Sequence, residues 1–407
     1  EEEQIDGGYG WFIVLAAFLV QMTGIGCITS VMQDYYQQHT FGSSPSVIFQ
    51  LNLVGATANS IMNLMSLLSQ IILSRFGSKC GIFIACLCCS FGLELASLST
   101  ELWHLLLTQG LLFGIGCSII FYVSMSVIPQ WFNKREGIAL GLASSGSCIG
   151  GLVMPFIMTP LNRQLGASWC YRILGFINLA IGIIACILFK DRKITNEATK
   201  NNKKNKNIKD IIDFSVLKNM DLIIWCIADT FIEAGYYVPY FFLPSYATHL
   251  GLSDSQGSLL VSIASVCNAF GRIIAGHIGD KIGYINTTIF SCLITSSSCF
   301  FLWTFAFDFT KLMLFAILFG TFGGIFIAQG ASITRIVTGK EKFETGYAMF
   351  LLLTVIAMYG PNLSTFIETS LLHHHNTNPY FSYKLFTAFC YMIGSIFLIY
   401  LKLKLSK

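Results

Sequence analysis

Three charged residues, Asp229, Glu233 and Arg272, lie inside long apolar stretches of the sequence. A charge in the middle of a membrane costs about 2.5–3.5 kcal/mol on insertion scales, so an ionisable residue there indicates a functional site. A guanidinium can hold a carboxylate through two hydrogen bonds, and a buried carboxyl group can bind and release a proton. These residue types therefore predict the binding of an anion and the transfer of protons.

The two acidic residues belong to one predicted helical face. Asp229, Glu233, Tyr236 and Tyr240 follow one another at spacings of 4, 3 and 4 residues, which places them on the same side of a helix. We predict that this polar and aromatic face contacts the substrate. Glu233 is the candidate proton carrier, and a Glu233 that is only hydrogen-bonded to a neighbouring helix is the alternative.

Arg272 is predicted to pair with Asp229. If the helix of Asp229 begins at Asp221 and the helix of Arg272 ends at Asp280, both residues lie about eight residues, or roughly 12 Å, from the same membrane boundary. An anionic substrate would open this ion pair by competing for the guanidinium. A permanent structural pair and a hydrated Asp229 are the alternatives.

Two further sets of side chains are candidates for the site. Asn59 and Asn63 belong to a polar stripe at helical spacing, whose other members are Asn52, Ser66 and Gln70. Amides in such a stripe either line a pore or bond neighbouring helices in lipid, and both alternatives stay open. Phe322 lies at helical spacing from two other phenylalanines, so it is either a contact for a substrate ring or ordinary packing.

The elements that must position these residues are membrane-spanning helices. Of the 407 residues, 54% are hydrophobic and 11% are charged, against roughly 25% charged in an average soluble domain. About twelve apolar runs approach the ~20 residues that a helix needs to cross a bilayer. We therefore predict an all-α integral membrane protein with twelve transmembrane helices. We find none of the short sequence motifs of hydrolases or nucleotide-binding enzymes, so we predict neither an enzyme, nor a cofactor, nor a metal site.

One long polar segment divides the chain into two groups of six spans. The predicted organisation is an N-terminal six-helix bundle at 1–189, a cytosolic basic linker at 190–220 and a C-terminal six-helix bundle at 221–407. Lys and Arg fall mostly in loops on the linker's side, which predicts that both termini are cytosolic. A basic linker is typical of contact with anionic membrane lipid rather than with nucleic acid. The plasma membrane is the expected location.

Two segments resemble signatures of the monocarboxylate transporter family. Residues 6–11 read DGGYGW, and residues 131–150 read WFNKREGIALGLASSGSCIG. A third segment, residues 276–283, reads GHIGDKIG and is similar to the loop that major facilitator proteins place between helices eight and nine. The resemblance implies a major facilitator fold, with two six-helix bundles around a central cavity. It also implies that Lys134, Arg135 and Asp280 act in gating.

The sequence departs from this family at two positions linked to proton transport. The family's helix eight carries an acid four residues before its arginine, and here that position is Asn268. The lysine of helix one in proton-linked members corresponds to Thr29. We keep both residues as candidate substrate contacts, but proton coupling stays open.

These observations predict a secondary transporter of a small monocarboxylate-type organic solute that works by alternating access. The first alternative is a facilitator of a larger aromatic solute, such as riboflavin or an aromatic amino acid. An alternative of another class is a transporter-like nutrient sensor. The expected partners are the solute, membrane lipid and, if transport is coupled, protons. The need for an accessory subunit is left open.

Overall fold

The computed structural model describes residues 6–27, 32, 35–36, 45–192, 211–375 and 379–406. Thr29 and most of the polar linker lie outside these ranges. Within them the chain forms twelve helical segments, six before the linker and six after it, which confirms the predicted all-α membrane architecture. The predicted boundaries of the two bundles and the linker stay predictions.

The first bundle contains α1 to α6. These are α1, Gly10–Thr23; α2, Pro45–Leu64 with residues 66–76; α3, residues 78–96; α4, Leu102–Trp131; α5, residues 136–165; and α6, residues 167–188. A short 3-10 turn, Ile25–Cys27, follows α1. The end of the molecule at which α6 ends is called the linker end.

The second bundle contains α7 to α12. These are α7, Met220–His249; α8, Asp254–Ile282; α9, Tyr284–Trp303; α10, Phe309–Gly323 with residues 325–338; α11, residues 340–353 and Gly360–His375; and α12, Phe381–Leu405. A 3-10 turn, Thr354–Tyr359, joins the two parts of α11.

Glycines with a left-handed backbone separate several consecutive helices. The long helical stretches Ser66–Ala96, Glu136–Leu188 and Ile325–Leu353 each contain one glycine with φ of 76–80° and ψ of 165–175°. L-residues rarely adopt such angles, and the chain turns back there into the next helix. Gly283, with φ 92°, ends α8 in the same way that Gly77 ends α2, so corresponding breaks occur in both halves.

The outer surface of the bundles suits hydrocarbon. Phe156, Phe301 and Ile356 are 73%, 74% and 70% exposed. Large apolar side chains exposed to this extent would be unfavourable in water, but lipid tails solvate them. Backbone polar groups inside these spans are satisfied by the helices themselves, which is the requirement for crossing a bilayer.

Small residues on α5 allow close approach to helices in both halves. A Cβ atom on Gly146 would lie 2.2 Å from the carbonyl oxygen of Phe18 in α1. A Cβ atom on Gly150 would lie 2.1 Å from the carbonyl oxygen of Met22, also in α1. On α5 as well, a Cβ atom on Gly141 would lie 2.4 Å from the carbonyl oxygen of Arg272 in α8. These glycines therefore bring the backbones of neighbouring helices into close contact.

Gly150→Ala is therefore expected to destabilise the protein by about 1–3 kcal/mol, because the added methyl group forces α1 and α5 apart. Gly151→Ala is the matched control, since a Cβ atom there meets nothing within 4 Å. Thermal unfolding of the two purified variants in detergent measures the difference. Equal melting temperatures would contradict the close contact between the helices.

Candidate functional site

A central cavity lies between the two halves, with a volume of about 310 Å³. The 3-10 turn Ile25–Cys27 and helices α2, α4 and α5 contribute to it from the first half, and α7, α8, α10 and α11 from the second. Eight of the predicted site residues line it. They are Asn59, Asn63, Asp229, Glu233, Tyr236, Tyr240, Asn268 and Arg272.

Arg272 is held by neutral groups from both halves of the protein. Its side chain is only 3% exposed. Nε donates to Asn268 Oδ1 at 3.0 Å, and Nη1 donates to the Ser144 carbonyl at 2.9 Å and to Ser147 Oγ at 3.2 Å. Nη2 lies 3.4 Å from the Tyr236 hydroxyl. These contacts orient the guanidinium but do not neutralise its charge, so it can attract an anion in the cavity.

Asn268 links the guanidinium to two tyrosines. Its Nδ2 donates to the Tyr236 hydroxyl at 2.6 Å and to the Tyr240 hydroxyl at 3.0 Å, while its Oδ1 accepts from Arg272. An acid at position 268 would pair with the arginine and cancel its charge. The amide oxygen of Asn268 accepts from the guanidinium without a negative charge, and its nitrogen donates the two bonds to the tyrosines, which a carboxylate could not donate.

The predicted ion pair between Asp229 and Arg272 is wrong for this structure. Among the described residues, the guanidinium contacts only the neutral groups named above, and Asp229 Oδ1 has no hydrogen-bond partner. The prediction that Asp229 and Arg272 lie at the same depth in the membrane assumed that side chains stand perpendicular to their helix. Side chains lean toward the N-terminus of their own helix, so on antiparallel helices the Asp229 carboxylate leans toward the linker end and the Arg272 head leans away from it.

Phe322 lies away from the cavity. Its ring packs edge-to-face on Phe290 of α9 with centroids 6.5 Å apart. Phe326, one turn further along, lines the cavity instead and makes a T-shaped contact with Tyr236 at 5.4 Å. Residues four apart would share a face of a continuous helix, but α10 is interrupted at Gly324 between Phe322 and Phe326, so their spacing does not predict a common face.

The aromatic character of the cavity is stronger than the sequence reasoning indicated. Eight aromatic side chains line it in the described part of the chain. They are Phe121, Tyr236, Tyr237, Tyr240, Phe241, Phe326, Tyr347 and Phe350. Tyr347 and Phe350 were missed. Their signal is the spacing of Phe343, Tyr347 and Phe350, whose rings stack successively at 5.8 and 5.9 Å.

The polar stripe of α2 serves two purposes. Asn59 and Asn63 line the cavity, whereas Ser66 and Gln70 pack against α11 nearer the linker end. The Ser66 hydroxyl donates to the Ala348 carbonyl at 2.8 Å, and Gln70 Nε2 donates to Thr345 Oγ1 at 2.8 Å. Both alternatives left open by the sequence therefore occur among these four residues.

The two halves are joined at the linker end by Asp280. Its Oδ1 accepts from the Gly137 backbone N–H at 2.7 Å, and its Oδ2 accepts from the Ile138 N–H at 3.1 Å. These are first-turn groups of α5, which have no partner within their own helix. A carboxylate from the second half thus caps a helix of the first. Beside it, Glu136 bonds Arg335 and accepts from Ser332, again across the halves.

The two signature segments meet at the same place. Asp6 Oδ1 accepts from the backbone N–H groups of Asn133, Lys134 and Arg135 at 2.7, 2.7 and 3.1 Å. Partial burial opposes ionisation of Asp6, but these three donors outweigh it and hold its pKa below the usual value. Lys134 and Arg135 thus contribute backbone groups to this contact, while their side chains are exposed.

Comparison with known proteins bears on the fold and the family. The profile of the Major Facilitator Superfamily matches residues 13–361. The chain is 27% identical to the agnestins efflux protein AgnL12 of Paecilomyces divaricatus over 97% of this chain and 87% of that protein. It is 26% identical to the probable transporter MCH2 of Saccharomyces cerevisiae over 95% of this chain and 80% of that one.

The structure is similar to that of the proton:xylose symporter XylE bound to 6-bromo-6-deoxy-D-glucose. The TM-score is 0.75 over 96% of this chain and 95% of that chain, at 15% sequence identity. At this identity the likeness concerns the fold, with its two six-helix bundles around a central cavity.

Proposed function

The chain belongs to the Major Facilitator Superfamily of transporters, and we propose that it carries organic monocarboxylates across the membrane by alternating access. The observation that supports this substrate class is Arg272, a buried guanidinium in the central cavity whose described partners are all neutral. A carboxylate entering the cavity would gain charge-assisted hydrogen bonds that a neutral solute would not. The two signature segments support the same branch of the superfamily.

The proposed orientation has the linker end in the cytosol, with both termini on that side of the plasma membrane. Lys134, Arg135, Lys340 and Lys342 are exposed at this end. Basic residues accumulate in the cytoplasmic loops of multi-pass proteins. The contacts made by Asp280 and Glu136 would then close the cavity toward the cytosol.

A second candidate is a facilitator of a larger aromatic solute, such as riboflavin or an aromatic amino acid. The eight aromatic side chains around the cavity favour it, because rings can stack on them. A carboxylate with an aromatic body would use both features of the site. A nutrient sensor built on this fold is the alternative of another class, and it would bind a solute without accumulating it.

Uptake into proteoliposomes tests these proposals. Radiolabelled carboxylates of increasing size and ring content are compared with their methyl esters, with and without a pH gradient. We expect the acids to be taken up and to compete with one another, and the esters to do neither, because an ester lacks the charge that Arg272 attracts. Esters that compete as well as their acids would contradict an anion site. Gradient-independent riboflavin uptake would support the facilitator, and binding without uptake would support the sensor.

A further inference from the structure

Two buried carboxyl groups stand in the cavity without a cation. Asp229 and Glu233 are 2% and 8% exposed and lie one turn apart on the cavity face of α7. Residues at this spacing have Cβ atoms about 5–6 Å apart. In the described part of the chain, Asp229 Oδ1 has no hydrogen-bond partner and neither carboxylate forms a salt bridge.

In the part of the chain that the structure describes, the groups that face this carboxyl pair from the packed elements are uncharged. Asn63 of α2 is 2% exposed and faces Glu233 with its side-chain amide. The other titratable neighbours are a thiol on α7, a thiol on α9, and tyrosines on α7 and α11: Cys226, Cys292, Tyr237 and Tyr347. Arg272 lies beyond Tyr236 and bonds other groups.

Two negative charges in such a site would be costly. They would repel each other across one helical turn, and burial removes the water that would otherwise solvate them. Elsewhere in this protein a buried acid has a cation, since Glu136 pairs with Arg335. The pair on α7 can lower its charge only by binding a proton or another cation. The Asn63 amide can donate a hydrogen bond to a carboxyl oxygen of the pair. Among the described residues, no third acidic, thiol or imidazole side chain completes a metal-ligand cluster with the pair, which favours the proton.

We propose that Asp229 and Glu233 together form the proton-binding site of a coupled transport cycle, separate from the anion site at Arg272. This inference rests on the proposed function. A proton from water on the open side bonds to a carboxylate oxygen of the pair. It returns to water on the other side after the cavity has changed its exposure.

The charges of the two sites link their occupancy. An anion at Arg272 adds a negative charge to a cavity that already contains the carboxyl pair, so it favours protonation of the pair. By thermodynamic reciprocity, a proton on the pair favours binding of the anion. One anion and one proton then cross together without net charge. The acid that the related family carries at position 268 is not needed, because the pair on α7 replaces it.

Infrared titration tests the pair without any knowledge of the substrate. Purified protein is titrated with acid, and the carbonyl band of protonated carboxylic acid is followed. We expect the wild type to show this band at neutral pH and the double variant Asp229→Asn/Glu233→Gln to lose it. An identical band in both proteins would overturn the proposal, whatever solute the protein carries.

Transport assays then test coupling, using a solute that the wild type accumulates. With an inward proton gradient, we expect the double variant to lose accumulation. The ratio of accumulation to exchange of labelled for unlabelled solute should therefore fall relative to the wild type, because exchange needs the anion site at Arg272 but no proton gradient. Glu94→Gln is the matched control, since Glu94 faces Gly175 of α6 outside the cavity, and it should accumulate solute normally. Accumulation retained by the double variant, or driven in the wild type by sodium instead of protons, would overturn the proton site and leave the anion site standing.

Discussion

Arg272→Lys is expected to weaken binding of a transported carboxylate by at least about tenfold, and Arg272→Gln by about a hundredfold or more. A charge-assisted hydrogen bond contributes roughly 1.5–3 kcal/mol, and each 1.4 kcal/mol is tenfold in affinity. Lysine keeps the positive charge but cannot make the Nε contact to Asn268 and present a planar fork at the same time. Glutamine removes the charge itself.

Equilibrium binding to purified, monodisperse variants measures this effect independently of expression. Arg172→Lys is the matched control, because Arg172 lies over the Trp169 ring at 5.0 Å and donates to Ser97, outside the cavity. It should bind solute as the wild type does. Unchanged affinity in folded Arg272→Lys protein would mean that the guanidinium only joins helices, and the anion site would have to be abandoned.

Asn268→Asp supplies a second arm of the same test. It places a carboxylate of nearly the same shape 3.0 Å from Arg272 Nε, where it would pair with the guanidinium. Affinity for an anion at neutral pH should fall, since the substrate must now compete with an internal carboxylate. A variant that binds as tightly as the wild type would show that the charge of Arg272 is not what the substrate uses.

The sequence predicted the elements better than their relative positions. Hydropathy sufficed to predict twelve spans because each crossing of the membrane needs a long apolar helix. Helical spacing then correctly placed four residues of α7 on one face toward the cavity: Asp229, Glu233, Tyr236 and Tyr240. It could not show at which depth the side-chain heads of α7 and α8 lie, so Arg272 was paired with the wrong partner. Side chains lean toward the N-terminus of their own helix, which moves the Asp229 and Arg272 heads in opposite directions on these antiparallel helices.

Contacts between distant segments were harder still to predict. The Asp6 and Asn133–Arg135 segments were found separately, yet nothing in either one indicates that a carboxylate from the first accepts three N–H groups of the second. For Asp280 the resemblance implied a role in gating. Its actual partners, the first N–H groups of α5, became visible only once the two halves were placed together.

Asp280→Asn is expected to shift the protein toward a state that is open at the linker end. Asp280 makes two charge-assisted bonds to the Gly137 and Ile138 N–H groups, and these exist only while the halves are closed there. Loss of the charge removes roughly 3 kcal/mol of this stabilisation, which corresponds to about a hundredfold change in the ratio of closed to open molecules. The Glu136–Arg335 pair beside it still holds the closed state, so the shift should be partial.

Spin labels on unnatural amino acids at positions 79 and 340 measure the opening, because Lys79 and Lys340 are exposed at the linker ends of α3 and α11 on opposite halves. The Asp280→Asn protein should populate a second, longer distance to a greater extent than the wild type does. Asp254→Asn is the matched control, since Asp254 is exposed in the first turn of α8 at the far end of the molecule. If both variants kept the wild-type distance, the contact would be too weak to gate transport. Transport requires both the closed and the open state. The Asp280 contact must therefore be strong enough to close the cavity and weak enough to release it. Removal of its one charge should change the ratio of closed to open molecules measurably without unfolding the protein.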